Sequence, residues 1–239
     1  MDHLITPATS TEEQQRAARV AVLPVGSFEQ HGAYLPLITD TVVACLIARR
    51  ISQDHGLFLL PPVTFSCSHE HAGFAGTVSI SAATLYAVVN DVWRSLKGSG
   101  IEALAVVNGH GGNYVLANVV QEANVAGACM TLFPSGPDWT RARQEAGLET
   151  DSHTDMHAGE AEVSLLLHGA PELVRDGYQH SDWEADWRSH LLVTGIRAYT
   201  DTGVIGRPSA GTAEKGARLL DSFSKSFTEH LALLRGSSV

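Results

Sequence analysis

The stretch that most constrains this chain is Leu23 to Asp40, LPVGSFEQHGAYLPLITD. An apolar run from Val20 to Val25 has the length and composition of a buried strand, and it breaks at Gly26. The turn beyond it carries Glu29, His31 and, nine residues after His31, Asp40. Residues two apart in extended backbone project to the same side, so Glu29 and His31 can reach one point. Pro36 stiffens the returning chain, and Asp40 stands at the head of the apolar run Thr41 to Ala48. There it either rejoins that point or caps a helix. Mixed carboxylate and imidazole donors suit zinc, manganese or iron better than calcium or a thiolate-selected ion. Open α/β sheets place their ligands beyond the carboxyl ends of strands, where this turn lies. The stretch reads as the first half of a metal site.

The remaining pattern alternates strand and helix. Ser10 and Thr11, ahead of Glu12 and Glu13, are cap candidates for a short polar helix. Thr41 to Ser52 has helical apolar spacing, Leu57 to Val63 reads as a buried strand closed by Pro61 and Pro62, and Ala82 to Leu96 is an amphipathic helix. Ile101 to Val107 is a continuous apolar strand of the kind found inside parallel sheets. A helix from Tyr114 to about Val125 and a strand from Ala128 to Phe133 follow, and Glu214 to Leu234 closes the chain as an amphipathic helix. This order predicts an α/β protein, a single domain over residues 1–239 layered α/β/α around a mostly parallel sheet.

Between the apolar strand ending at Val107 and the next helix lies NGHGGN, Asn108 to Asn113. Its glycines do not fit the GxGxxG dinucleotide spacing, and no Walker lysine follows. The favoured reading is a tight turn that projects His110 into the crevice, with Asn113 tying it together. In Ser66 to Ile80, His69, Glu70 and His71 stand in a row, and His71 is the better candidate to lie near the site. Pro134 to Met156 reads as a polar loop able to cover the site, with Trp139, Asp151, His153 and Asp155. In a helix from Ala158 to His168, Glu162 faces inward, where a carboxylate needs a partner or a metal. Glu160 is rotated away and reads as favourable charge in a helix first turn. Trp183 and Trp187, spaced by one helical turn, read as packing residues or a subunit contact.

The formal net charge of −10 at pH 7 is spread without basic clusters, which excludes a surface built for nucleic acid. The 3 cysteines lack CxxC spacing, so neither a disulfide framework nor a structural zinc site is expected. No signal pattern or membrane-length apolar run is present, and a cytoplasmic location is expected.

Taken in order, LPVGSFEQHG…LPLITD, EHAGFAGT, NGHGGN, HAGEAEVS and TGVIGRPSAGTA resemble the creatininase family of metal-dependent amidohydrolases. The resemblance covers most of the chain. It implies a homo-oligomer with two divalent ions per chain, zinc, manganese or iron. Glu29, Asp40 and His110 would hold one ion, and His31 with a bridging Asp40 the other. It also implies that His157 stands beside the substrate as a catalytic group.

Three departures matter. Creatininase has a glutamate ligand where this chain has Gly112, and Glu162 is the expected replacement. Trp139 does not match the spacing of the tryptophans that close over creatinine, so creatinine is not the expected substrate. Tyr34 replaces the histidine of HGPHLP and, with His71 and Asn113, is expected on the substrate side. TGVIGRPSAGTA is most similar to family members that trim the mycofactocin precursor peptide.

The expected reaction is hydrolysis of a carbon–nitrogen amide bond in a small or cyclic amide or a peptide end. Metal-activated water would attack, with His157 and Glu162 or Glu160 assisting the leaving nitrogen. Two rivals stay open at this point: a nucleotide-binding module using NGHGGN, indifferent to chelators, and a scaffold that has lost its chemistry.

Overall fold

Val20–Val25 (β1) is buried along its whole length, because its alternate side chains enter two different cores. The computed structural model describes residues 5–236. In it β1 pairs in parallel with Phe58–Leu59 (β2) on one side and Ala103–Asn108 (β3) on the other, and β3 pairs in parallel with Met130–Phe133 (β4). The strand order is therefore β2-β1-β3-β4. Val20, Val22, Ala103, Ala105 and Val107 point into a core shared with helices Thr39–His55 (α2), Glu160–Gly169 (α6) and Ala213–Leu234 (α8). Ala21, Leu23, Val25, Leu104 and Val106 point into a second core, covered by Ala82–Gly98 (α3) and Val115–Ala123 (α4). The expected α/β layering around a parallel sheet is thus observed.

Strand order reverses direction between β1 and β3, so the crevice at their carboxyl ends is the switch point where open α/β sheets place ligands. Two glycines let α2 approach that crevice. A Cβ on Gly26 would overlap the backbone N and Cα of Thr41, and one on Gly109 would overlap the carbonyl of Asp40. Asp40, in the first turn of α2, is thereby pressed against the ends of both strands.

Several expectations need correcting. Residues 134–156 are not one loop, since Gly136–Ala146 forms a helix (α5) with a Ser135/Asp138 capping box. Its Trp139 stacks edge-on against Phe223 of α8, at 4.8 Å between ring centroids. The N-terminal helix, Ser10–Arg16 (α1), is capped by Thr9 rather than by Ser10 or Thr11. Asp40 does not cap α2, whose N-cap Ile38 makes no side-chain bond. Trp183 and Trp187 share no helix; Trp183 bridges Gly206 in extended backbone, and Trp187 is exposed. Among the described residues, no helix is long and apolar enough to cross a membrane.

Candidate metal centre

Glu29, His31, Asp40, His110 and His157 are each at least nine-tenths buried, an unusual density of titratable groups. Their atoms sort into overlapping groups in which all candidate ligand atoms lie within 4.8 Å of one another: Glu29, Asp40 and His110; His31, Asp40 and Glu162; Glu29, His31 and His157. Asp40 belongs to the first two groups and can bridge them. The donor chemistry fits divalent ions. Both Glu29 oxygens are buried and make no hydrogen bond, although His71 Nε2 and His110 Nδ1 approach Oε1 to 3.2 Å. A buried carboxylate with no donor is costly unless it holds a cation.

Every histidine of the cluster is oriented by a bond on its far nitrogen, as metal-binding imidazoles are. His31 Nδ1 donates to the Glu29 carbonyl at 3.0 Å, which points Nε2 at Asp40 Oδ1, 3.0 Å away, with Glu162 Oε1 at 3.8 Å. His110 Nε2 donates to the Cys67 carbonyl at 3.0 Å, turning Nδ1 toward Glu29 Oε1 and Asp40 Oδ2, each 3.2 Å away. His157 Nε2 donates to the Gln30 carbonyl at 2.7 Å and leaves Nδ1 facing Glu29, 3.7 Å away. The Ser27 hydroxyl donates to Asp40 Oδ2 at 2.7 Å.

Without a cation the cluster takes up protons. Burial lowers the His31 pKa, but the Asp40 and Glu162 carboxylates outweigh it and raise it to about 9. His110 is likewise raised despite burial, by Glu29 and Asp40. Burial, reinforced by the charge of Asp40, raises Glu29 and brings Glu162 to about 7. Burial resists ionisation of Asp40 as well, yet His31 and His110 hold it low. His71 and His157 stay neutral, pushed down by burial and then by the neighbouring imidazoliums, His71 to about 3. These directions describe a site that draws in positive charge.

His157 and Glu162 are aimed by strained backbone. Ala158 has φ 55°, a conformation uncommon for a side-chain-bearing residue. It is held by a His157–Ile205 bridge, by the Tyr34 hydroxyl donating to its carbonyl, and by its own N–H donating to Glu162 Oε2 at 2.6 Å. Tyr34, expected on the substrate side, is 1% exposed and its hydroxyl donates to the Ala158 carbonyl. Asn113 is also committed internally, accepting from Cys67 N at 3.1 Å and donating to Asn108 Oδ1 at 3.0 Å. His71 does line the central chamber. The α6 helix begins at Glu160 rather than Ala158, and Glu160 is fully buried rather than sitting as free charge in the first turn.

Three residues escaped sequence reasoning. Gln30, inside the first motif, donates from Nε2 to the Gly203 carbonyl at 3.0 Å and to His71 Nδ1 at 3.0 Å, setting the His71 tautomer. Asp155, expected in a covering loop, binds the N–H groups of Glu160 and Ala161 and pairs with Arg143. The acid-before-helix spacing DMHAGE was the available signal for it. Glu70 Oε1 lies 3.3 Å from His110 Nε2.

The centre sits in a chamber of about 130 Å³ between two larger cavities. One, about 350 Å³, adds Trp139, Arg143, Ser152 and Asp155 and shares His110, His157 and Glu162 with the chamber. The other, about 580 Å³, adds Val115, Arg197, and Leu192 and Val193 of the short helix Leu191–Thr194 (α7), and shares Glu70, Gly112, Tyr114 and Leu191.

The family model Creatininase, described as creatinine amidohydrolase, matches residues 6–231. A curated relative, the mycofactocin precursor peptide peptidase of Mycobacterium ulcerans (strain Agy99), is 36% identical over 226 residues, covering 88% of this chain and 84% of its own. A crystal structure of creatinine amidohydrolase (creatininase) superposes with a TM-score of 0.79 at 20% identity, over 97% of this chain and 98% of the other. A structure titled creatininase Mn gives a TM-score of 0.78 at 23% identity, over 95% and 96%.

Proposed function

The chain belongs to the creatininase family of amidohydrolases, and on that premise we propose that it is a metal-dependent hydrolase of a carbon–nitrogen amide bond whose substrate is a peptide end. The observation that carries the metal dependence is the unbonded, buried Glu29 carboxylate among histidines whose far nitrogens are all engaged. Glu29, Asp40 and His110 would hold one divalent ion, and His31, Asp40 and Glu162 the other, zinc, manganese or iron in each case. Such ions supply an activated water and polarise the amide carbonyl.

The protein's own groups do the rest. Asp40, with one oxygen toward His31 and the other toward Ser27 and His110, serves both halves. His157 presents a free Nδ1 at the chamber wall, suited to hydrogen-bond the tetrahedral oxygen or to carry a proton to the leaving nitrogen. Glu162, next to it on α6, is the second carrier when it is not engaged as a ligand.

A peptide is favoured over a small cyclic amide by the cavities. A compact ring needs only the central chamber, whereas cavities on both sides suit a chain that continues past the scissile bond in each direction. The peptidase relative points the same way. The test is to strip the protein with chelator, reload it with one metal at a time, and assay a panel of peptides beside creatinine and formyl amides. Metal-restored release of residues from peptide ends is the expected result. Turnover of the small amides alone would select the alternative substrate class. Binding of nucleotide unaffected by chelation, with no hydrolysis, would select the binding-module reading instead.

A further inference from the structure

We propose that Glu70 is a positioning residue for His110, sharing the Nε2 proton with the Cys67 carbonyl and lending negative charge to the far side of the ring. The inference rests on the reading of the cluster as a metal centre. His110 meets Cys67 O at 3.0 Å and Glu70 Oε1 at 3.3 Å on one nitrogen, and Glu29 and Asp40 at 3.2 Å each on the other. The ring therefore has its proton fixed at Nε2, and Nδ1 is left for the ion. A backbone carbonyl alone sets that tautomer. A carboxylate behind the ring adds basicity to the ligating nitrogen, as outer carboxylates do for metal-bound histidines.

Two features of the fold put Glu70 there. Asn113, in the turn that carries His110, accepts from Cys67 N at 3.1 Å and so clamps the 67–71 segment onto the turn. Glu70 then sits in the short 3-10 turn His69–His71, with its carboxylate in the wall between the central chamber and the larger cavity. The second feature is Gly112. A Cβ there would overlap both Glu70 Oε1 and His110 Nε2 and stand 2.8 Å from Cys67 O. Any side chain at 112 would expel the carboxylate, so glycine at 112 and glutamate at 70 form a matched pair. The Glu70 carboxylate occupies the space that a side chain at 112 would take, and it faces the ring of His110.

The experiment compares metal-free wild type with E70A, E70Q, G112A and the double variant E70A/G112A, reading zinc affinity by competition with a chromophoric chelator and thermal unfolding of each apoprotein. E70A is expected to weaken one zinc equivalent about tenfold, the lower end of what loss of an outer-shell partner does to metal affinity. Its apoprotein should melt close to wild type. E70Q keeps an acceptor without the charge and should fall between the two. G112A retains Glu70 in the sequence but takes its space and also crowds His110 Nε2, so it should weaken the same zinc equivalent at least as much as E70A. The double variant should then bind no more weakly than G112A alone, because Glu70 is already expelled there. Unchanged zinc affinity in E70A, or additive losses in the double variant, would overturn the proposal while leaving the metal centre standing. Wild type that takes up no zinc, manganese or iron would overturn the metal centre itself.

Discussion

Glu29 and Glu160 are both fully buried carboxylates, and their surroundings are opposite. Glu160 accepts from Glu149 N and Thr150 N at 3.0 Å, from the Thr150 hydroxyl at 2.6 Å, and from Lys215 Nζ at 2.5 Å. Glu29 makes no well-formed hydrogen bond, although imidazole nitrogens approach it from three sides. One is a strut that fastens the start of α6 to α8 and to the 149–150 backbone. The other is an unmet acceptor, which a folded protein keeps only where something else will meet it. Burial does not distinguish the two; hydrogen-bond satisfaction does.

Substitutions in the two regions should separate function from stability. The largest effect belongs to D40A, which removes the carboxylate common to two ligand groups. Hydrolysis should fall at least about a thousandfold, and metal should be lost with it, as read by steady-state kinetics and elemental analysis. A D40A protein that kept two metals per chain would break the bridging assignment. E160A removes the buried partner of Lys215, whose side chain is 16% exposed, and the acceptor of the Glu149 and Thr150 N–H groups, leaving Lys215 only Glu149 at 3.4 Å and the Ala210 carbonyl at 2.9 Å. It should cost about 3 kcal/mol, or roughly 6–12 °C in melting temperature for a chain of this size, with metal content unchanged.

The same contrast predicts opposite pH limbs in the metal-free protein. Despite burial, Lys215 and Thr150 hold the Glu160 pKa down, so its contribution is present above the unfolded glutamate value and is lost as pH falls through the folded one. His31 is raised to about 9, so its contribution is complete below the unfolded value near ~6.5 and is lost as pH rises through about 9. Apoprotein melting temperatures should therefore decline on both sides. Loading metal should abolish the alkaline decline only, because a metal-bound His31 no longer needs its second proton.

Smaller effects refine the picture. Y34F leaves the Ala158 carbonyl without its donor at a strained residue and should cost about 1 kcal/mol, with activity falling more than stability because His157 and Glu162 flank that residue. E29Q should leave the apoprotein as stable as wild type or slightly more so, since it removes a buried charge beside Asp40, and yet weaken metal binding. Equal destabilisation by E29Q and E160A would erase the distinction drawn between them.

Much of the fold was legible because its signals were local. Continuous apolar runs marked β1 and β3, and helical stripes marked α3 and α8. Helix α5 was hidden by its polar sequence, GPDWTRARQEA, which presents only Trp139 and a few small residues to the core. At the candidate site, Glu29, His31, Asp40, His110, His157 and Glu162 could be collected from motifs, and the fold brings their candidate ligand atoms together in overlapping groups. The internal hydrogen bonds of Tyr34 and Asn113 were not legible, because a buried polar side chain and a substrate-facing one look alike in sequence. Glu70 and Gln30 were missed since their roles depend on contacts 40 and more residues away in the chain.

The most direct test is the metal content of protein purified without an affinity tag, measured by elemental analysis for wild type and E29Q side by side. Close to two equivalents of zinc, manganese or iron per wild-type chain, removed by chelation and reduced in E29Q while the fold persists, is the predicted result. One equivalent or none in a folded wild-type chain offered all three metals would contradict the two-ion centre.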